Sequence, residues 1–345
     1  MPRLAILCIV LFALSCGGGS PTTPTAPTTP VPAPPVPSPP PPPTGITGVL
    51  TDGLSSTRLA GVLVKLDGIG ETTSAADGSF AFAAADPQVE RTITMTSAST
   101  IERVTRLRVP GPAATLTLMP SSIDLPAFNE MFRGSGGELH RWAAAPRLVI
   151  QRRVLQFTSV SASTYTALGT MLSDEEVATL IGDLEWALPQ LTGGTFSAFA
   201  GRDVETADEG ASVAVSRSGA VVVARYEGLT AGSGFWGYGR WAWNGLGEVQ
   251  MGIMMLDRAF ETSGSSFRRS LRAHELGHTL GYTHVTLRES VMQSHARHEP
   301  TPWDRDAARL AFQRPPRNRA PDTDPQQFVG NLHALASQLT WAGSH

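Results

Sequence analysis

The chain is poor in cysteine, because among its 345 residues only Cys8 and Cys16 carry a thiol. Both lie near the N-terminus, so we expect the remainder to fold without disulfides and to bind any metal without cysteine ligands.

A surplus of positive charge is also missing, since 27 Lys and Arg residues stand against 30 Asp and Glu residues, for a net charge of -3. Without a basic stripe that displaces counterions from phosphates, nucleic acid is not an expected partner. The apolar run from Leu4 to Leu14 is too short to span a membrane as a helix.

Residues 1–16, MPRLAILCIVLFALSC, have the layout of a signal peptide. One arginine precedes the apolar run, and small residues follow it. The end of the run, from Ala13 to Cys16 and on into glycines, resembles a bacterial lipobox, although Ala13 stands where leucine is usual. The resemblance implies that Cys16 is lipidated, becomes the mature N-terminus and anchors the protein in a membrane at the cell envelope. The alternative is ordinary secretion after cleavage nearby.

Residues 17–44 form a linker that begins with glycine and continues almost entirely in Pro, Thr, Ala, Val and Ser. Proline at this density favours polyproline II, so the segment is predicted to be a semi-rigid spacer. A proline-rich ligand for a partner protein is the alternative.

Residues 45–120 change to short alternating runs, such as LAGVLVKLDG and RTITMTSA, which are separated by turn residues. This pattern predicts a small antiparallel β-sandwich. The stretches GITG (45–48), LAGVLV (59–64) and ADGSF (76–80) resemble the transthyretin-like, carboxypeptidase regulatory-like sandwich of many exported bacterial proteins. The resemblance implies a binding or spacer module without catalytic residues.

Three further segments follow the predicted sandwich. Residues 121–146 are predicted to be a second linker, because they contain the flexible sequence GSGG. Residues 147–317 are predicted to be an α+β domain with one twisted sheet. Residues 318–345 are expected to be a C-terminal tail.

The predicted α+β domain begins with a strand in PRLVIQRRVLQF. A helix is predicted for LSDEEVATLIGDLEWALPQLTGG, which its two final glycines close and in which Ser173 and Glu176 have the spacing of a capping box. A second helix is expected at about 266–281. The strands expected between these helices lie near 195–200, 219–227, 235–243 and 248–257.

The second of these helices contains the stretch RAHELGHTLGYTH. His274 and His278 lie four residues apart, so both imidazoles project from one helix face and can bind one Zn²⁺. Glu275 lies about 100° around the helix, where it can take a proton from a zinc-bound water. Gly281 suits the left-handed turn that ends a helix, and it allows His284 to return as a third ligand. An ordinary helix with surface histidines is the alternative, but such a helix does not require Gly281 and His284 at these offsets.

The pattern from His274 to His284 resembles the zinc signature of the metzincin metallopeptidases. Met292 follows His284 by eight residues, where many matrixins have the methionine of the Met-turn, which packs beneath the zinc. The stretches TPWD (301–304) and DAARLAF (306–312) resemble the family's closing loop and C-terminal helix.

This resemblance implies an α+β fold with a metzincin-like twisted mixed five-stranded sheet, an active-site helix and a C-terminal helix. An antiparallel edge strand would line the cleft, and GSGFWGYGRWAWN (232–244) lies where that strand is expected. The free edge of such a strand can pair with an extended peptide. Half-buried packing is the alternative for its aromatic residues.

Several positions depart from the family pattern. Val285 follows the third histidine, where matrixins usually have serine and astacins glutamate. Ser294 replaces the tyrosine that assists zinc in astacins and serralysins. The prosegment cysteine that keeps matrixins latent is absent, so latency by that route is excluded. His295 and His298 lie close to Met292 in the sequence and are expected to be loop histidines, with a position facing the cleft as the alternative. His140, His333 and His345 lack ligand spacing.

The resemblance therefore implies a zinc endopeptidase with one catalytic Zn²⁺, Glu275 as general base and a protein or peptide substrate. Two alternatives stay open. One is an envelope-anchored binding or adhesion protein with an inactive metal domain, and the other is a zinc amidase that acts on cell-wall peptides. Substrate preference, activation, oligomeric state and any calcium site are not determined by these patterns.

Overall fold

The computed structural model describes residues 45–82, 89–109, 113–326 and 336–344. The predicted signal peptide with Cys16, the proline-rich linker, His333 and His345 lie outside the described residues. Within the described ranges, no helix is long and apolar enough to cross a membrane.

The N-terminal part of the described chain consists of two packed sheets. Its strands are β1 (Ile46–Asp52), β2 (Leu63–Leu66), β3 (Gly70–Thr73), β4 (Ser79–Phe82), β5 (Val89–Ser97), β6 (Thr100–Val109) and β7 (Ala114–Leu118). One sheet has the order β4-β1-β7 and the other β3-β2-β5-β6. Leu50, Val64 and Ile93 are fully buried in the core that the two sheets share. The expected antiparallel pattern needs one correction, because β1 pairs parallel with β7. The long chain between them can make the crossover that a parallel pair requires.

The segment expected to be a linker at 121–146 contains helix α1 (Leu125–Arg133). Asp124 caps the helix, since its carboxylate accepts a hydrogen bond from the N–H of Ala127. The helix turns its apolar face into the core of the following domain. The fully buried aromatic and methionine side chains on that face are Phe128, Met131 and Phe132. This finding corrects the linker expectation, because the apolar residues recur at the spacing of one helix face.

The following domain is mixed α+β, which confirms the expected fold class. Its sheet has nine strands among the described residues. They are β8 (Arg147–Gln151), β9 (Arg153–Gln156), β10 (Thr164–Met171), β11 (Arg202–Glu205), β12 (Ser212–Ala214), β13 (Ala220–Glu227), β14 (Gly237–Asn244), β15 (Val249–Asp257) and β16 (Leu339–Ser344). The order is β12-β10-β9-β13-β15-β14-β16, and β8 pairs with β11 and β13. β14 runs antiparallel to β15, whereas β15 and β13 are parallel.

Among the described residues, this sheet has nine strands in place of the five that were expected. Arg152 interrupts the predicted first strand, so β8 and β9 are separate and only β9 pairs with β10. The stretch at 195–200 forms no strand, because Phe196 and Phe199 turn into the core and the Thr192 hydroxyl bonds to the backbone of Phe196. The four further strands of the sheet are β10, the short strands β11 and β12, and the C-terminal strand β16.

The helices of this domain are α2 (Asp174–Leu191), α3 (Leu229–Ser233), α4 (Arg258–Thr262), α5 (Arg268–Thr279) and α6 (Pro302–Phe312). Ser173 and Glu176 form the predicted capping box at the start of α2. Leu180, Leu184 and Leu188 bury its apolar face completely. α5 packs against α2 on one side and against β14 and β15 on the other. The sheet and α2 thus hold the helix that contains the histidines.

The C-terminal segment, expected to be a tail, joins the fold at two places. Arg314 and Asp322 form a fully buried ion pair, and Arg103 of the sandwich binds Asp324 at 2.8 Å. Backbone hydrogen bonds also join Val104 to this stretch. Farther along the chain, β16 pairs antiparallel with β14. The correction has a physical reason: each carboxylate compensates an arginine that the fold removes from water.

Candidate metal centre

Helix α5 ends where the sequence places its terminal glycine. Gly281 has a φ of +104°, and a Cβ at this position would lie 2.6 Å from the carbonyl oxygen of His140. The backbone therefore requires glycine both for its conformation and for its close contact. Beyond the turn, the N–H of Tyr282 bonds to the carbonyl of Gly277, and the chain returns His284 toward the helix.

The structure brings His274, His278 and His284 together. One ring nitrogen from each lies within 4.8 Å of the others. The Nε2 atom of His274 is 3.0 Å from Nε2 of His278 and 3.3 Å from Nε2 of His284. Tetrahedral zinc with Zn–N bonds of about 2.0–2.1 Å separates its nitrogens by about 3.3 Å. The spacing and the donor type therefore fit a metal ion held by three imidazoles.

Hydrogen bonds to carbonyl groups fix the orientation of two of the rings. Nδ1 of His274 is 2.8 Å from the carbonyl oxygen of Val291, and Nδ1 of His278 is 2.8 Å from that of Tyr282. Since a carbonyl only accepts, each Nδ1 carries the proton and each Nε2 keeps its lone pair for a metal. Burial lowers the pKa of His274 to about 4, so its ring is neutral at physiological pH.

Glu275 lies beside the histidines with 2% of its surface exposed. The N–H of Gly239 donates a hydrogen bond to its carboxylate. Within the described residues, its Oε2 has no hydrogen-bond partner. Burial raises the pKa of Glu275 well above its usual range. An unpaired buried carboxylate oxygen is costly to maintain, so the arrangement favours a role in chemistry over one in packing.

Two glycines of β14 allow this strand to approach α5 closely. A Cβ at Gly237 would lie 2.4 Å from Oε1 of Glu275, and one at Gly239 would lie 2.3 Å from Cβ of His278. Both distances are far below van der Waals contact, so a larger residue would force the strand and the helix apart. Sequence reasoning missed this role, although glycine at alternate strand positions indicates a close backbone approach.

We expect Gly239→Ala to destabilise the protein by about 1–3 kcal/mol, because its methyl group overlaps the Cβ of His278. The matched control is Gly182→Ala, since Gly182 lies within α2 and a Cβ there meets nothing within 4 Å. The Gly182→Ala substitution is expected to stabilise the protein by about 0.4–1 kcal/mol. Urea unfolding followed by tryptophan fluorescence measures both changes in the free energy of unfolding. Equal effects of the two substitutions would contradict the close approach of β14 to α5.

Met292 is fully buried against α5. A Cβ at Gly277 would lie 2.4 Å from its Sδ, so this glycine makes room for the methionine. The N–H of Val285 donates to the carbonyl of Met292 at 2.9 Å, which joins the chain after His284 to the loop that contains Met292. Val285, which follows His284 where the metzincin families have a polar residue, is buried in the core.

Asp304 holds the loop around Met292 in place. This carboxylate is fully buried, and it accepts hydrogen bonds from the Ser290 hydroxyl, from the N–H of Val291 and from the N–H of Thr301. The carbonyl of Val291 in turn binds His274. Asp304 therefore positions His274 through the backbone, and its place within TPWD did not by itself indicate this role.

The other described histidines lie outside the three-histidine group. His140 stacks on Trp243 with ring centroids 4.2 Å apart, and His298 lies 3.6 Å from the carboxylate of Glu289. His295 is exposed and, with Ser294, lines a cavity of about 200 Å³ beside His274 and Glu275. The walls of this cavity also include Leu271, Phe235 and Arg297.

The site thus combines three converging imidazole nitrogens with an adjacent carboxylate and an open cavity. Met292 and Asp304 support it from the following loop. No protein-family model matches this sequence, and a comparison with curated proteins finds no match. On its own geometry, the group His274, His278 and His284 could hold a metal ion.

Proposed function

We propose that the protein is a zinc-dependent endopeptidase of the metzincin type. The observation that carries the proposal is the convergence of three Nε2 atoms beside the buried carboxylate of Glu275. Three neutral imidazoles are a ligand set typical of zinc, and three protein ligands leave one coordination position for water or substrate. Structural zinc sites, by contrast, fill all four positions with protein ligands.

The chain's own residues would divide the work between binding and proton transfer. His274, His278 and His284 would hold Zn²⁺, whose Lewis acidity polarises a peptide carbonyl and lowers the pKa of water. Oε2 of Glu275 is free to accept a proton from the attacking water and to pass it to the leaving amine. The bond from Gly239 to the same carboxylate holds it in one orientation.

The surroundings of the histidines support the proposed family. α5 packs on a mixed sheet that includes the antiparallel strand β14, and buried Met292 lies against the same helix. The cavity of about 200 Å³ opens between β14, α5 and the loop after Met292, where it can receive a substrate side chain. A protein or peptide substrate is therefore the proposed partner.

Metal analysis combined with a peptide library tests this function. We expect the purified protein to contain one equivalent of zinc, and His278→Ala to reduce the zinc content to near zero because two ligands hold zinc weakly. The matched control is His298→Ala, which removes a histidine outside the three-histidine group and should retain zinc. Wild-type protein should cleave members of a random peptide library at internal bonds, and His278→Ala should not.

Two outcomes would contradict the proposal. Absence of stoichiometric zinc would exclude a resident metal, and a zinc-loaded protein that cleaves no library peptide would exclude the endopeptidase. Binding to a surface polymer without cleavage would favour the adhesion alternative. Release of peptides from cell-wall material alone would favour the amidase.

A further inference from the structure

The outer edge of β14 is occupied by a segment of the same chain. β16 pairs antiparallel with β14 from Asn244 opposite Leu339 to Gly239 opposite Ser344. Gly239 is the residue that touches His278 and bonds to Glu275. The C-terminal segment therefore runs along the strand nearest the histidines and reaches the position beside them.

One face of β16 is held by contacts to β14. Trp341 stacks on the guanidinium of Arg240, whose carbon lies 4.4 Å from the ring centroid. Arg240 is itself buried and donates to the carbonyls of Val160 and Ala162, so the stacking contact is partly desolvated. A Cβ at Gly343 would lie 2.3 Å from the Tyr238 hydroxyl, which shows how closely the two strands fit on this face.

The other face of β16 covers a cavity that it does not fill. Ala342 lies over a cavity of about 280 Å³. Its walls include the aromatic rings of Phe132, His140, Trp241 and Trp243 and the polar side chains of Arg133, Glu138 and Thr283. Trp241 is 4% exposed, its ring lies 6.4 Å from that of His278, and its indole N–H has no partner among the described residues. A methyl group is small for such a cavity, whereas a leucine or aromatic side chain at this position would bury more apolar surface.

We propose that Leu339–Ser344 is a built-in competitor for the peptide-binding edge of β14. Its ligand class is an extended peptide with a large apolar side chain at the position of Ala342, and such a peptide displaces β16. Main-chain pairing gives both strands similar hydrogen bonds, so the side chain in the cavity decides between them. The covalent link gives β16 a high effective concentration, which excludes peptides that leave the cavity empty. The proposal rests on the proposed function only for the identification of this edge as a substrate site.

Hydrogen exchange in two opposed variants of the full chain tests the occupancy directly. Trp341→Ala removes the contact to Arg240, and we expect the β14 amides that face β16 to exchange about fivefold faster. Ala342→Leu fills the cavity, and the same amides should exchange more slowly than in the wild type. The matched control is Leu287→Ala, which truncates an exposed leucine far along the chain from β16 and should change neither rate. Equal exchange in all four proteins would overturn the proposal.

Peptide binding separates this inference from the proposed function. The probe is the fluorescein-labelled hexapeptide LTWLGS, which copies β16 with leucine at the position of Ala342. We expect it to bind about fivefold more tightly to Trp341→Ala than to the wild type, and less tightly to Ala342→Leu. Equal affinities of the peptide for the three proteins would overturn the proposal that β16 competes for this edge. If no variant cleaves any peptide, the endopeptidase fails, but exchange and binding still decide whether β16 competes for the edge.

Discussion

Glu275→Gln is expected to lower kcat/KM for peptide hydrolysis by about 10²–10⁴-fold, the usual contribution of a general base. Glutamine has nearly the same shape as glutamate, and its carbonyl oxygen can still accept the bond from Gly239. Its amide nitrogen would replace Oε2, which has no partner in the described part of the chain, so no existing hydrogen bond is lost. The change therefore removes the proton acceptor and leaves the three histidines in place.

Steady-state kinetics on a library-derived peptide, together with zinc analysis of the same samples, measures this effect. Zinc content should equal that of the wild type, because Glu275 is not among the three ligands. Glu289→Gln is the matched control, since Glu289 is an exposed carboxylate whose ion pair with His298 lies outside the three-histidine group. Activity of Glu275→Gln within threefold of the wild type, with zinc retained, would show that another group accepts the proton.

Arg272→Met is expected to destabilise the protein by about 3–5 kcal/mol, because it removes a buried cation that binds one fully buried and one partly buried carboxylate. Arg272 is 2% exposed and lies on α5 between the start of the helix and His274. It binds Asp183 of α2 at 2.7 Å and the fully buried Glu261 of α4. Arg225 on β13 binds Glu261 as well, so the substitution removes one of two cations from that carboxylate.

Urea unfolding of the metal-free protein measures this loss without a contribution from bound zinc. Arg202→Met is the matched control, because Arg202 and Glu185 form an exposed ion pair at 3.0 Å, for which about 0–1 kcal/mol is expected. Adding Glu261→Gln to Arg272→Met should recover part of the stability, since it neutralises a buried carboxylate that has lost one of its two cations. A loss from Arg272→Met no larger than that of the control would contradict the charge-compensation role.

The parts of the fold that the sequence predicts well are those with local causes. The helix expected at about 266–281 is α5 at 268–279, and the capping box at Ser173 opens α2. Strands expected near 219–227 and 248–257 are β13 and β15. Helical periodicity, capping and alternation act within a few residues, so one sequence displays them directly.

The candidate site also contains a part that the sequence predicts from local geometry and a part that it does not predict. His274, Glu275 and His278 share one helix, and Gly281 and His284 follow in its terminal turn, so their proximity depends on local geometry. The supporting residues come from distant segments, as Gly239 does from β14 and Asp304 from α6. The alternate glycines of β14 indicate a close approach but not the group that approaches, and TPWD does not indicate the role of Asp304, because the groups they contact come together only on folding.

By itself, the sequence determined the α+β class, the helix that contains His274 and His278 and the membership of the three-histidine group, since helix pitch and a glycine turn fix where those side chains point. Only the tertiary structure decided that residues 125–133 form a core helix and that Leu339–Ser344 pairs with β14. Whether a short apolar stretch becomes a helix, a strand or a linker depends on the surface that the rest of the chain offers it. Strand pairing between distant segments likewise depends on which edge remains free once the core has formed.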